Sequence, residues 1–267
     1  MEIRALEKKE NEVSFLVKGM PVAFINALRR TILEEVPTMA IEDVEFRQND
    51  SILYDEVIAH RLGLLPLTTD LKSYVLPEEC KCEGKGCARC QVKMTLKASE
   101  PEMVYASDLK SKDSAIKPVF GKTPIVKLIK KMTNAKKVIK QELELEATAC
   151  LGTGKKHAKW IPAHVYYKRK PDVRVKEKGD FGKDAVEECA AKNLDLKHET
   201  YVVTKDHLMD CTFCNACVEF GKGDSKDDYV FYVESFGQLE PKKIVNEALS
   251  ILEAKSEDFA EEFKVLK

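Results

Sequence analysis

Apolar positions recur along this chain in two rhythms, a strand period of two and a helical period near 3.6. Glu2 to Lys8 and Glu12 to Val17 predict two short strands around the polar turn Lys9-Glu10-Asn11. From Met20 to Pro37, Val22, Ile25, Leu28, Ile32 and Val36 fall at helical spacing, with Arg29, Arg30, Glu34 and Glu35 largely off that stripe. Pro21 suits a first turn, where its missing N–H costs nothing, and Pro37 cannot continue the helix. Phe24 and Leu33 widen the apolar surface beyond what a helix lying on one sheet needs. The bland reading is an ordinary core helix; the sharper one also packs it on a partner's helix.

Met39 to Phe46 alternates like a strand, Asn49-Asp50-Ser51 reads as a turn, and Tyr54 to Pro66 reads as a short helix stopped by Gly63 and Pro66. Gln91 to Ala98 and Glu142 to Ala149 alternate as strands. Between them, the six lysines of 127–140 are interleaved with Leu128, Ile129, Met132, Val138 and Ile139, which describes an amphipathic surface element. A charged run, Asp172 to Asp184, marks a boundary, and Asp184 to Leu194 predicts a helix. Thr200 to Val203 and Tyr229 to Ser235 are strand-like. Pro241 opens a long helix with Ile244, Val245, Ala248, Leu249 and Leu252 on one side and Phe259 and Phe263 further on. Both ends therefore read as sheet plus helix.

Composition narrows the classes. The 267 residues are 44% hydrophobic and 33% charged with a formal net charge of -1, which describes a balanced globular protein of one large or two to three modest domains. That balance gives no bulk electrostatic case for nucleic acid or a membrane surface. No apolar run approaches the roughly 18 residues that span a bilayer, and MEIRALEKKE has no hydrophobic signal region, so a cytoplasmic location is expected.

The cysteines change the picture most. There are nine, an odd number, and seven of them cluster. CKCEGKGCARC sets Cys80, Cys82, Cys87 and Cys90 in a C-x-C-x4-C-x2-C loop, in which four thiolates can wrap one tetrahedral ion and Gly84 and Gly86 permit the reversal. Zinc is the expected metal; the alternative is a loop that binds nothing. Cys211, Cys214 and Cys217 form a C-x2-C-x2-C run of the kind that grips three corners of an iron–sulfur cubane. The next ligand of a full ferredoxin run would stand at 221, which is Gly, so a remote fourth ligand is needed. Cys189 is the candidate, although Ala190 rather than Pro follows it. A [4Fe–4S] cluster on Cys189, Cys211, Cys214 and Cys217 is expected, against zinc or an empty site. Cys150 reads as a buried thiol.

Catalytic patterns are missing. Gly152-Thr-Gly-Lys-Lys156 fails as a phosphate-binding loop, because position 149 is Ala and Lys155 is followed by Lys rather than Ser or Thr. His157, Trp160 and His164 join no nucleophile or paired-carboxylate motif.

Taken together, FINALRRTILEEVPTMAIEDVEF (24–46), DEVIAHRLGLLPL (55–67), the Cys80–Cys90 loop, GTGKKHAKWIPA (152–163) and FYVESFGQLEPKKIVNEAL (231–249) resemble the archaeal D-subunit family of DNA-directed RNA polymerase. That family is related to the bacterial alpha subunit and to the third-largest subunit of eukaryotic RNA polymerase II. The segment from about 168 to 223 resembles only its cluster-bearing members. The resemblance implies an α+β fold: a discontinuous alpha-subunit-like dimerisation domain with an inserted mostly-β domain and a ferredoxin-like iron–sulfur domain. The implied boundaries are 1–42 and 224–267 for dimerisation, 43–165 for the insert with the four-cysteine loop, and 166–223 for the cluster. It further implies a non-catalytic assembly platform that heterodimerises with subunit L and then joins subunits N and P and the two large subunits, where nucleotidyl transfer occurs. Phe24, Leu28, Ile32, Leu249 and Leu252 are the interface residues so implied. The rival classes are a ferredoxin-type electron carrier, which the single cysteine run disfavours, and a free-standing nucleic-acid-binding module, which the near-zero charge disfavours.

Overall fold

The computed structural model describes residues 1–83, 85–132, 138–170, 173–175, 194–197, 200–203, 218–220 and 228–265. Along the chain run β1 (Glu2–Lys8), β2 (Glu12–Lys18), α1 (Val22–Glu34), β3 (Thr38–Asn49), α2 (Asp55–Gly63) and β4 (Gln91–Ala98). There follow β5 (Met103–Tyr105), β6 (Lys110–Ser111), β7 (Pro124–Lys127), β8 (Lys130–Met132), β9 (Val138–Lys140), β10 (Leu143–Gly152) and β11 (Ala163–Arg169). The last are β12 (Val173–Val175), β13 (Leu194–Lys197), β14 (Thr200–Val203), β15 (Val218–Phe220), β16 (Asp228–Ser235) and α3 (Pro241–Val265). The mixed α and β content that the sequence predicts is present.

The chain divides into two units, one of Met1–Glu7, Ser14–Ile25 and Tyr167–Tyr232, the other of Lys8–Val13, Asn26–Tyr166 and Val233–Lys267. The first is built on a sheet in the order β1-β2-β16-β11. Phe15 stacks on Phe231 with ring centroids 5.3 Å apart, and Tyr167 meets Tyr229 edge-on. β2 buries Leu16 and Val17, whereas every residue of the edge strand β1 is exposed. Two short ribbons, β12 with β15 and β13 with β14, complete what is described. The strand predicted at Thr200–Val203 is β14; of the helix predicted over 184–194, only Leu194 is described, and it opens β13.

The second unit holds the larger core. Its sheet runs β3-β10-β4-β6, with β10 antiparallel to both β3 and β4. Alternation does the sorting. Leu143, Leu145, Ala147 and Ala149 of β10 face a core shared with Met94 and Leu96 of β4, while Glu144 and Glu146 face the other way. Those two carboxylates pair across the sheet with Lys97 and Lys93, and the ion pairs hold both below the usual carboxylate range. The last residues of β10 are buried on both faces, because Trp160 packs on Cys150 and Ala40 there.

α2 closes the apolar face with Ile58 and Leu62, each worth roughly 1.5–3 kcal/mol on burial. Asp55 and Glu56 at its start and His60 and Arg61 at its end match the helix dipole. Within the lysine-rich 127–140 stretch, the described residues include a two-stranded ribbon of β8 and β9, with Leu128 buried and Ile129 exposed beside it.

Candidate functional site

The four-cysteine loop is two successive turns entered from a 3-10 turn at Pro77–Glu79. Cys80 N–H donates to the Pro77 carbonyl at 3.3 Å, and Glu83 N–H to the Cys80 carbonyl at 3.1 Å. In the second turn the N–H groups of Cys90 and Gln91 both donate to the Cys87 carbonyl, at 3.1 and 3.0 Å. Gly86 has φ +81°, and the Gln91 side chain lies where a Cβ would stand, so this reversal requires glycine. Gly84 lies outside the described residues.

These turns bring the four sulfurs together. All lie within 4.8 Å of one another, with Cys80 to Cys87 at 3.5 Å, Cys82 to Cys90 at 3.6 Å and Cys87 to Cys90 at 3.8 Å. A tetrahedral zinc with bonds of about 2.3 Å sets its sulfurs roughly 3.8 Å apart, so the residues fit such an ion. A cubane fits less well, since each thiolate there binds a different iron and the four spread wider. Cys87 N–H also points at Cys90 Sγ at 3.3 Å, a contact that steadies a thiolate. The neighbouring Cys80 thiol lowers Cys82 to about 7, and burial pushes Cys90 up to about 12. Metal binding must therefore displace protons from the loop.

Cys150 is buried, and burial lifts its thiol to about 11, in keeping with a structural role. Cys189, Cys211, Cys214 and Cys217, the expected cubane ligands, lie outside the described residues.

The expected pairing residues separate into two groups. Leu28 and Ile32 are 4% and 0% exposed, so they belong to the chain's own interior. Phe24 and Leu249 stand at the surface, and Leu252 is half-buried. Val22 is exposed although it lies on the helical stripe, because α1 begins there and the first turn is uncovered.

The loop after β10 supplies a role that the sequence reading missed. Gly154 lies against the Leu33 carbonyl so closely that a Cβ would overlap the oxygen, and Lys155 N–H donates to the Glu34 carbonyl at 2.9 Å. The Lys155 N–H thus satisfies a carbonyl left free at the end of α1, and Gly154 permits the close approach. Gly152 is equally constrained, by the Trp160 ring. Trp160 donates from Nε1 to the Cys150 carbonyl, while Thr38 Oγ1 donates to the Trp160 carbonyl. Lys159 lies over the indole and reaches the Ile41 carbonyl and Glu42. The paired glycines that superficially suggest a phosphate loop serve close backbone packing; two glycines two apart were the available signal.

Comparison with known proteins points one way. A family model described as the RNA polymerase Rpb3/Rpb11 dimerisation domain matches residues 14–256. A DNA-directed RNA polymerase subunit Rpo3 from Methanosphaera stadtmanae is 38% identical over 273 residues, covering 97% of each chain. The protein of the same name from Methanothermobacter thermautotrophicus is 39% identical over 271 residues, covering 96% of this chain and 97% of its own. That from Pyrococcus furiosus is 37% identical over 276 residues, covering 100% of this chain and 98% of its own. Among the described residues, no helix is long and apolar enough to cross a membrane.

Proposed function

The chain belongs to the RNA polymerase Rpb3/Rpb11 dimerisation-domain family, and we propose on that footing that it is an assembly subunit of a DNA-directed RNA polymerase. It pairs with a smaller subunit of the L type, and the pair receives subunits N and P and the large subunits in the cytoplasm. The observation that carries this reading is the family match from residue 14 to residue 256, which includes α1 and most of α3. Domain boundaries near 43, 166 and 224 belong to the same reading.

Pairing is association, and its chemistry is apolar surface removed from water. The candidates are the residues that the chain leaves uncovered: Phe24 on α1, and Leu249 with half-buried Leu252 on α3. An interface of standard size buries about 1,600 Å² in total, and obligate ones are larger and more apolar. Co-expression with an L-type subunit followed by size-exclusion chromatography tests this. One heterodimer peak is expected, and Phe24→Asp should abolish it without unfolding the chain, because Phe24 is a surface residue. A chain that stays alone beside every L-type partner overturns the reading.

Two metal groups complete it. Cys80, Cys82, Cys87 and Cys90 hold one zinc ion that staples their loop, supported by the spacing of their sulfurs. A [4Fe–4S] cluster on Cys189, Cys211, Cys214 and Cys217 is supported by the C-x2-C-x2-C run alone. Anaerobic purification followed by metal analysis should find about one zinc and about four irons per chain. Cys87→Ser should remove the zinc and leave the iron, and Cys214→Ser the reverse; joint loss in both variants would refute two independent sites.

A further inference from the structure

α3 is 25 residues long, which is about 37 Å at 1.5 Å per residue. Its buried residues, Pro241, Ile244 and Ala248, all lie in its first half. Every described residue from Glu253 onward is exposed, and the Lys255–Glu35 ion pair made by that far part is open to water. The direction of the helix is therefore decided near its root. A rotation of about 10° there carries the far end through about 6 Å.

The turn between β16 and α3 is held from two sides. Ser235 is buried, and its N–H donates to the Asn11 carbonyl at 2.7 Å. Its Oγ accepts from the Gly237 N–H at 2.9 Å and donates to the Leu239 carbonyl at 2.5 Å. The second support is a short antiparallel pair, 66–69 against 117–119, anchored in the larger core by Leu67. There the Val119 N–H donates to the Pro66 carbonyl and the Thr68 N–H to the Lys117 carbonyl, both at 2.9 Å. This pair meets the turn at two points. The Thr69 N–H donates to the Gln238 carbonyl at 3.0 Å, while Thr69 Oγ1 accepts from the Met39 N–H of β3, also at 3.0 Å. Gly237 has φ +90°, and Val119 Cγ1 stands 2.5 Å from where a Cβ at that position would lie. A valine is stiff at χ1, and the backbone of this one is tied to Pro66, so the methyl group has little freedom to move aside.

We infer that Gly237, Val119 and Thr69 are positioning residues, through which the 66–69 and 117–119 pair sets the direction in which α3 leaves the fold. None of the three needs to touch a partner. Their effect is preorganisation: a helix already pointed correctly spares association the cost of orienting it. That consequence rests on the pairing proposed above, whereas the direction of α3 is a property of the chain alone.

The experiment uses the full chain, with nitroxides on p-acetylphenylalanine in place of Glu45 and Asp258, both exposed, so that no cysteine is touched. Electron-spin dipolar spectroscopy then reads the distance from β3 to the far part of α3. Gly237→Ala should shift or broaden that distance by at least about 4 Å, the arc of a turn of about 10° at residue 258. It should also weaken pairing with an L-type subunit at least about tenfold. Adding Val119→Ala should recover part of both effects, because it removes the methyl group in the way. Thr69→Val keeps the side-chain volume and loses the Met39 contact, so it should shift the distance in the same manner while the chain still melts cooperatively. That variant carries the test even where Gly237→Ala fails to fold. An unchanged distance in the variants that fold overturns the inference, whatever happens to pairing. A Gly237→Ala shift that Val119→Ala leaves whole overturns the role given to Val119. A distance that shifts in a chain no L-type subunit joins sustains the positioning and refutes the pairing reading instead.

Discussion

α1 and α3 are built on similar apolar spacing, and they put it to different use. α1 buries three successive stripe residues, Ile25, Leu28 and Ile32, none more than 4% exposed, and Val36 just beyond its end is buried as well. α3 buries Pro241, Ile244 and Ala248 near its start, and from Glu253 onward every described residue is exposed. Periodicity reports that a helix has an apolar side. It does not report which body covers that side. In α1 most of the apolar free energy is committed to folding this chain, and in the second half of α3 the apolar residues are left exposed.

The largest effect should come from placing a charge on the covered side. Ile32→Asp would put a carboxylate without a partner into the interior, and the expected result is a chain with no cooperative melting transition. The milder Ile32→Ala should cost about 2–5 kcal/mol in urea unfolding, the range for truncating a buried Ile. Phe263→Ala, made at a residue 62% exposed, should move the same transition by less than about 0.5 kcal/mol. Equal losses at the two positions would abolish the distinction between the helices.

A smaller effect should follow from disturbing the end of α1 without touching its stripe. Gly154→Ala would drive a methyl group into the Leu33 carbonyl and push the Lys155 N–H away from Glu34. The expected cost is about 1–3 kcal/mol, the usual penalty for overpacking. Faster amide exchange at Glu35 and Val36, which donate to the Thr31 carbonyl, should accompany it. Gly121→Ala is the control: its added methyl meets the nearest atom, of Ser107, at 3.4 Å, an ordinary contact, so its transition should stay close to that of the unmodified chain. A Gly154 variant as stable as the Gly121 variant would show that this loop does not hold the helix end.

Much of this was legible in the sequence, for reasons that also mark where legibility stopped. The β1–β2 hairpin, α2 and the β4 and β10 strands follow from period and punctuation, which are local. The cysteine loop was legible because metal geometry constrains spacing within eleven residues, and Cys80 to Cys90 meet as the spacing implies. Leu28 and Ile32 show the opposite case. A residue on an apolar stripe can face its own core or a neighbour, and spacing is the same for both. Gly154 shows a third: its partner is the backbone at Leu33, more than a hundred residues away, and no local pattern announces so distant a contact. Residues 127–140 show a fourth, since interleaved lysines and aliphatics suit a two-stranded ribbon as well as a single amphipathic element.

A small, salt-sensitive effect is expected at the Lys255–Glu35 ion pair, which joins the far part of α3 to the segment following α1. Lys255 and Glu35 meet at 2.5 Å with side chains 56% and 27% exposed, so water screens much of their attraction and both chains lose rotamer freedom in holding it. Lys255→Met keeps the length of the side chain and removes the charge. Its expected cost is at most about 1 kcal/mol, shrinking as salt is raised to roughly 0.5 M. Lys255 is not one of the apolar residues that α3 leaves exposed, so affinity for an L-type partner should survive the substitution apart from a weak salt-dependent change. A loss above about 2 kcal/mol would exceed what an exposed pair supplies. It would mean that the far half of α3 is held down by its own chain as α1 is, and the difference between the two helices would be one of degree.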